Sequence, residues 1–273
     1  MKVIAAINGT ITAESMAFYA LRYAKSQNFT LLLLHVENKK DGLDEVKASI
    51  DRITTVALSE NIQVQHTILE KSSKRKIKEF LLSANADTIF CSTRKYKRFI
   101  TDSFSEVLIN MNLNIDIAVV RIVNISNIID MNNMLLCIKE DKLSVKKFTF
   151  FATLASAYNA YGEIYSVTSM SRYSLSRVDM HEARQRLESI NYNLRHYIKL
   201  VNFMPFSVHI KHSFANNEAN SILTHIAKSD TQLVVIGAKR LSIKSFFAKE
   251  KPIEKLMREA SVNTIAYYTK AEQ

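Results

Sequence analysis

The sequence predicts an α/β protein built from two tandem open parallel sheets of five strands each, with helices on both faces of each sheet. Three observations lead to this fold class. Apolar runs of strand length alternate with longer stretches of helical spacing along the 273 residues, and such alternation is typical of parallel sheets with right-handed crossovers. The alternation restarts after the polar segment Asn124–Asn133. The chain is also long enough for two domains of ordinary size.

In the first copy, five apolar runs predict strands, and four stretches with a period near 3.6 predict helices. The predicted strands are Lys2–Ile7, Thr30–Val36, Ile62–Leu69, Asp87–Ser92 and Ile115–Val123. The predicted helices are Thr12–Gln27, Leu43–Glu60, Ser73–Ala84 and Asp102–Met111. Asn8-Gly9 marks a turn after the first strand, and Thr10 or Thr12 can cap the helix that follows.

The second copy repeats this order. Its predicted strands are Met134–Ile138, Glu163–Val167, Phe206–His212, Gln232–Gly237 and Val262–Tyr268. Its predicted helices are Val145–Tyr158, Val178–Leu200, Asn220–Lys228 and Pro252–Ala260. Matching Val3 to Met134 gives an offset of 131 residues, and matching Asp87 to Gln232 gives 145, so we expect an insertion around Ser169–Asp179. The predicted domains are 1–124 and 134–273, joined by a linker over 125–133.

Composition narrows the protein class. The net charge is +11, with only four glycines and two prolines. The two cysteines, Cys91 and Cys137, lie in strand-like runs, so we expect reduced, partly buried thiols. The N-terminal run is too short for a signal peptide, and no window reaches the roughly 18 apolar residues of a spanning helix. We therefore expect a soluble, cytoplasmic protein without membrane insertion.

Candidate ligand-binding residues follow from the topology. In open parallel sheets, ligands bind beyond the carboxyl ends of the strands, at the point where the strand order reverses. The residues at or just after the strand ends are therefore the candidates. They are Asn8, Gly9, Thr10, Val36, Cys91, Ser92, Thr93, Arg94 and Ser103 in the first copy, and Gly237 and Arg240 in the second.

Three segments of the first copy resemble the universal stress protein family of bacteria. They are Asn8-Gly9-Thr10, Leu34-His35-Val36 and Ser103-Phe104-Ser105-Glu106-Val107-Leu108. The resemblance extends over nearly the whole chain, once in each copy. It implies an adenine nucleotide alpha hydrolase-like fold, a stress-response role and pairing through the last strands. In nucleotide-binding members it also implies bound ATP or AMP, held by G-x-x-G and a later G-[ST] after the fourth strand.

Both copies depart from that nucleotide pattern. In the first copy, Cys91 and Arg94 stand where G-x-x-G has glycines, and Asp102 stands at G-[ST]. In the second copy, Gly237 keeps the first glycine, but Arg240 replaces the second. Glycines in such loops let backbone N–H groups approach phosphate oxygens, whereas a carboxylate repels them. The sequence therefore predicts that the family's ATP pattern is degraded in both copies.

Two interpretations of the first-copy loop stay open. In one, side chains replace the lost backbone cradle and bind an anion; the residues concerned are Ser92, Thr93, Arg94, Lys95 and Arg98. In the other, the loop is a solvated basic surface without a ligand. The basic segments Lys71–Lys78 and Arg94–Arg98 can also contact nucleic-acid phosphates. No helix-turn-helix, RNA-binding sheet motif or zinc finger accompanies them, which favours a solvated face.

Nothing in the sequence predicts catalysis or a metal site. No nucleophile elbow, Walker loop or paired carboxylates occur. His209 and His212 alternate on a predicted strand and so point to opposite faces, and His225 has no carboxylate or cysteine partner at ligand spacing. We expect no catalytic residues and no metal ligands.

The leading hypothesis is a non-enzymatic, tandem universal stress protein-like regulator that acts through a protein partner and is modulated by a nucleotide. The first alternative is an ATP- or AMP-binding module with weak ATPase activity, using Asn8, Thr10, Arg94 and Ser103. The second alternative is an electrostatic binder of nucleic acid or an acidic surface. For assembly, the alternatives are a homodimer and an intramolecular pseudo-dimer through Ile115–Val123 and Val262–Tyr268.

Overall fold

The structure, a computed structural model, describes residues 1–38, 41–70, 72–93, 104–111, 113–139, 144–201, 203, 205–238 and 252–270. The chain forms two compact units. The first contains Met1–Asp130, Ala238 and the C-terminal residues from Ile265 onward. The second contains Met131–Gly237 and the residues before Ile265 in the last helix and strand.

The first unit is a parallel sheet with its helices between successive strands. Its strands are β1 (Lys2–Ala6), β2 (Thr30–Val36), β3 (Val64–Leu69), β4 (Ala86–Ser92) and β5 (Asp116–Arg121). Its helices are α1 (Ile11–Gln27), α2 (Leu43–Ser59), α3 (Lys74–Ser83) and α4 (Phe104–Asn110). The strand order is β3-β2-β1-β4-β5, and every neighbouring pair is parallel. Strands β2 and β3 therefore lie on one side of β1, and β4 and β5 lie on the other, so the strand order reverses between β1 and β4.

Local sequence explains the ends of these elements. The Thr10 side chain accepts a hydrogen bond from the Ala13 N–H and so begins α1. Asn28 ends α1 in the left-handed region, with φ of 54°. The run Leu31–Leu34 is fully buried, as expected for a strand covered by helices on both faces. These elements place the ends of β1, β2 and β4 at one edge of the sheet.

The second unit repeats the arrangement with additions. Its strands are β6 (Asn133–Lys139), β7 (Tyr161–Ser169), β8 (Val208–Ala215) and β9 (Leu233–Ala238), followed by β10 (Asn263–Tyr268). Its helices are α5 (Val145–Tyr158), α6 (Arg172–Leu175), α7 (Met180–Val201), α8 (Glu218–Lys228) and α9 (Pro252–Glu259). The strand order is β8-β7-β6-β9, with parallel pairs throughout. From Ile265 onward, β10 groups with the first unit.

The predicted α/β class, with parallel sheets and helices, is confirmed. Helix α6 and the long α7 lie between β7 and β8, where the insertion was expected. Because β10 is divided between the units, the separation into two five-stranded sheets and the domain boundaries 1–124 and 134–273 stay predictions. Among the helices in the described ranges, none is long and apolar enough to cross a membrane.

Three predicted strand starts are wrong by two residues: those of β3, of β7, which begins at Tyr161 and not at Glu163, and of β8, which begins at Val208 and not at Phe206. The structure begins β3 at Val64, not at Ile62. Asn61 takes the left-handed conformation, with φ of 58°, and the Ile62 N–H donates to the Ala57 carbonyl at 2.9 Å. Ile62 therefore closes the end of α2, where its side chain is buried, and its apolar character serves the helix end instead of a strand.

Candidate functional site

A cavity of about 290 Å³ lies at the carboxyl ends of β1, β2 and β4 in the first unit. This is the edge at which the strand order reverses, the position expected of a ligand site. Three of the predicted residues line it: Asn8, Val36 and Ser92. The other lining residues are Ala6, Ile7, Leu34, Asn38, Asp41, Ser72, Lys74, Ile77, Phe104 and Val107.

The turn after β1 holds Asn8 in place. Its Oδ1 accepts hydrogen bonds from the Thr10 N–H at 3.2 Å and from the Thr10 hydroxyl at 2.7 Å. Gly9 has φ of 75°, and a Cβ there would lie 3.0 Å from Glu45 Cβ and Val46 N. Gly9 and Thr10 therefore shape the turn and cap α1, while Asn8 is the member of the trio that reaches the cavity.

The predicted residues at the end of β4 have different environments, because successive side chains of a strand point to opposite faces of the sheet. Ser92 lines the cavity, whereas Cys91 is only 1% exposed, and burial raises the pKa of its thiol to about 12. The Thr93 N–H donates to the Val120 carbonyl at 2.9 Å, which ties it to β5. Arg94 and Ser103, together with the basic segment Arg94–Arg98, lie outside the described residues.

The cavity has an apolar wall and a polar rim. The wall comes from seven apolar residues of β1, β2, α3 and α4. Lys74 and Asp41 are the charged residues of the described lining, and the Asn38 amide donates to the Asp41 carboxylate. Asn38 was not named from the sequence, and Ser72 and Lys74 were considered only as part of the basic segment Lys71–Lys78, not as residues of this site. The arrangement suits a small ligand with an apolar body and one polar end.

The matching position of the second unit is covered by one of its own side chains. Val3 pairs with Thr88 in the first unit, and Met134 pairs with Leu233 in the second, so Gly237 matches Ser92, not Cys91. A Cβ on Gly237 would lie 3.0 Å from both Cε and Nζ of Lys147 on α5. The Lys147 side chain therefore crosses the end of β9, at the position that faces the cavity in the first unit. Arg240 lies outside the described residues.

The described part of the chain holds no group of three or more His, Cys, Asp or Glu side chains that could bind a metal ion. His35 is buried, and its Nδ1 lies 2.8 Å from the Ile7 carbonyl oxygen. That contact joins the ends of β1 and β2 beside the cavity. His35 thus supports the site from behind and is not part of its lining.

Comparison with known proteins gives a fold but no sequence family. No family model and no curated protein matches the sequence. A universal stress protein from Archaeoglobus fulgidus DSM 4304 matches at 13% identity and a TM-score of 0.61, over 99% of this chain and 98% of that one. A putative universal stress protein from Pseudomonas aeruginosa UCBPP-PA14 matches at 14% identity and a TM-score of 0.64, over 98% and 93%.

The chain has a universal stress protein-like fold. The predicted resemblance is confirmed at that level, because the matches extend over both units. The cytoplasmic domain of a prokaryotic cation chloride cotransporter is similar to the same extent, with 12% identity and a TM-score of 0.63, over 100% of this chain and 96% of that one. The fold thus serves more than one kind of protein, and function has to be argued from the site.

Proposed function

We propose that the protein is a non-enzymatic regulator that binds one small ligand of the nucleotide class in its first unit and acts by contacting a protein partner. The observation that carries this proposal is the cavity at the carboxyl ends of β1, β2 and β4, lined by Asn8, Val36 and Ser92. Nucleotides bind at this point of doubly wound sheets. The hydroxyl of Ser72 in the lining donates to the Glu70 carbonyl at 3.1 Å, a main-chain contact that does not activate it as a nucleophile, which supports a binding role.

The size and charge of the cavity favour AMP over ATP. A volume of about 290 Å³ is near the lower end of the roughly 300–1,000 Å³ typical of ligand sites. The described lining carries one positive side chain, Lys74, and one negative side chain, Asp41. A triphosphate gains little net attraction from such a pair, whereas a single phosphate can lie at Lys74 with the base against the apolar wall.

Thermal unfolding with adenosine, AMP and ATP tests the proposal. A ligand that binds only the native state raises the free energy of unfolding by mass action, by about 2.7 kcal/mol at a concentration of 100 Kd. The melting temperature rises as a result. We expect a rise of several degrees with AMP and a smaller rise with adenosine. A melting temperature that does not change with any of the three would contradict nucleotide binding.

Two variants locate the binding. Val36→Trp fills the cavity and is expected to abolish the AMP shift. Val123→Trp is the matched control, because Val123 is 43% exposed and does not line the cavity. Lys74→Glu is expected to remove the advantage of AMP over adenosine. Equal AMP shifts in the wild type and in Val36→Trp would place the ligand elsewhere.

A second candidate function, electrostatic binding of nucleic acid, is favoured by one observation on α3. The helix begins with Lys74, Arg75 and Lys76, and its first turn contains no acidic residue. Cations at the positive end of a helix cost about 0.3–1 kcal/mol each, a cost that a bound polyanion offsets. Lys76→Glu should then weaken binding of a single-stranded RNA at low salt, while Lys47→Glu on α2 should not. Absence of binding by the wild type at low salt would exclude this candidate.

A further inference from the structure

The sheet of the second unit carries polar side chains beneath α8. Glu163 and Tyr165 project from β7, and the His225 ring stacks on Tyr165 at 4.1 Å between centroids. His225 Nε2 lies 2.8 Å from Glu163 Oε1, although the direction is poor for a hydrogen bond and both atoms are shielded from solvent. Sequence spacing gave His225 no carboxylate partner; the fold supplies one from 62 residues earlier.

The fold does not require this polarity. The strand registers match Glu163 and Tyr165 to Leu32 and Leu34 of the first unit, which are 3% and 1% exposed. Withdrawing the Glu163–His225 pair from water is costly, since their side chains are only 19% and 10% exposed, whereas the first unit has leucines at the positions of Glu163 and Tyr165. Polar side chains at positions that favour apolar packing are expected at functional sites.

A polar groove of about 380 Å³ runs over this floor, between α8 and β8. Nine of its ten lining residues are polar, among them Ser213, Asn220, Thr224 and Lys228. Helix α8 has 11 residues, so the groove follows about 16 Å of helix. That length suits an extended ligand and exceeds a single small ion.

Strand β8 adds main-chain groups to the groove. It ends the strand order of the second unit. The Ser207 and Ala215 carbonyls accept from the Gly162 and Met170 N–H groups on the β7 side, so the odd-numbered residues direct their main-chain groups toward β7. The even-numbered residues therefore direct theirs outward: Val208, Ile210, His212 and Phe214. Within the described ranges no strand pairs with that edge, and a free edge is a template for another strand.

Two lysines lie beside this edge and groove. Tyr165 pairs with Lys211 in the strand register, and Val167 pairs with Ser213, so Lys211 lies on the groove face of β8. Lys211 and Lys228 are both exposed. The carboxylate on the same face, Glu163, is already paired with His225. The groove and its edge therefore complement an acidic chain.

We propose that β8 and this groove bind an extended acidic segment of a partner protein by β-strand addition. Main-chain hydrogen bonds to the outward edge would supply affinity, and alternate side chains in the groove would supply specificity. Lys211 and Lys228 would pair with the acidic side chains. The inference rests on the proposed function in one respect, that the protein acts through a protein partner.

Fluorescence anisotropy with a labelled peptide of alternating valine and glutamate, as long as β8, tests the inference at low salt. We expect saturable binding to the full chain. Replacing either Lys211 or Lys228 by glutamate should weaken it at least about fivefold. Lys199→Glu, an exposed position on α7, is the control with the same charge change and should leave the affinity unchanged.

Two further measurements separate strand addition from simple charge attraction. A probe N-methylated at alternate residues keeps its charge but loses main-chain donors on one edge, and should bind at least about fivefold more weakly. His212→Pro removes an outward N–H at an edge position where proline is tolerated, and should have the same effect on the unmodified probe, with folding checked by the melting temperature.

Three outcomes would overturn the inference. They are no binding by the wild type, equal binding of the N-methylated probe, and concentration-dependent dimers that His212→Pro abolishes, which would assign the edge to a second copy of the chain. The AMP-induced melting shift is measured on the same protein. An intact shift without peptide binding removes only this inference, and peptide binding without a shift removes only the nucleotide site.

Discussion

Asp116 illustrates how one buried side chain fixes a distant part of the chain. Asp116 is buried, with a relative exposure of only 7%. One oxygen accepts from the Tyr267 hydroxyl at 2.6 Å and the other from the Lys270 N–H at 2.5 Å. Both donors belong to the C-terminal residues that group with the first unit. Burial and the neighbouring Asp116 raise the pKa of Tyr267, so its hydroxyl stays a donor at ordinary pH.

Tyr267→Phe is expected to lower the free energy of unfolding by about 1–3 kcal/mol, because it leaves a buried carboxylate oxygen without its donor. Urea denaturation measures the loss. Tyr173→Phe removes a hydroxyl from a side chain that is 63% exposed and should change stability by less than about 0.5 kcal/mol. Equal effects of the two changes would contradict the role of the Asp116 contact.

The buried thiols predict a pH dependence of stability. Burial raises the pKa of Cys91 to about 12 from its ordinary value of 9.0, and burial also raises that of Cys137. Above pH 9 the unfolded chain loses these protons while the folded chain keeps them. The unfolded state then binds fewer protons, so the free energy of unfolding falls as pH rises, by at most about 1.4 kcal/mol per pH unit for each thiol.

Urea denaturation from about pH 8 to about pH 10 tests this dependence. Tyrosines, with an ordinary pKa of about 10, begin to titrate in the same range, so the thiol contribution is the difference in slope between the wild type and a variant without the thiols. The double variant Cys91→Ala, Cys137→Ala should be less stable at every pH but should show a flatter slope. A slope unchanged by the double variant would mean that other groups cause the pH dependence.

Sequence reasoning succeeded for residues whose environment follows from strand position, and failed for contacts between distant segments. The burial of Cys91 and Cys137 follows from their place in apolar runs. The position of Lys147 over Gly237 and the contact of His225 with Glu163 join residues on different elements. Neither contact leaves a signal in local spacing.

At the scale of elements, the two copies end their first helices in the same way. Asn28 ends α1 with φ of 54°, and Asn159 ends α5 with φ of 50°. Each N–H donates to two carbonyls of the preceding turn. The offset between these asparagines is 131, equal to that between the first strands. The first helices of the two units therefore end with the same local geometry, although their sequences differ.

Asn159→Ala is expected to lower the free energy of unfolding by about 1 kcal/mol, since a Cβ-bearing residue without a local side-chain hydrogen bond is strained in the left-handed region. Asn159→Gly should be neutral or stabilising. Chemical denaturation of the three proteins gives the order. If alanine were tolerated as well as glycine, the left-handed helix end would be contradicted.

Element boundaries follow from the sequence where capping and apolar spacing agree. Helix α5 has the predicted bounds, Val145–Tyr158, because Asn159 ends the apolar stretch. The start of β3 does not follow, because Ile62 suits a strand or a helix end equally well by composition. Its role is decided by the carbonyl of Ala57, which only the folded helix presents.

At the scale of the whole molecule, the duplication is unequal. The first unit has a cavity at the point of strand reversal, with Ser92 in its lining. The second unit places Lys147 over the matching glycine and carries a polar groove along α8. We propose that the two units have divided the work, with ligand binding in the first and partner binding in the second. The alternation of strands and helices predicted the repeat; the division depends on side chains that meet only in the folded units.

Native mass spectrometry of the full chain titrated with AMP tests that division most directly. We expect one bound AMP per chain, because Lys147 covers the matching position of the second unit. Val36→Trp should reduce the bound AMP from one to none. Two bound molecules per chain would contradict the unequal duplication, and no bound molecule at millimolar AMP would contradict the ligand site itself.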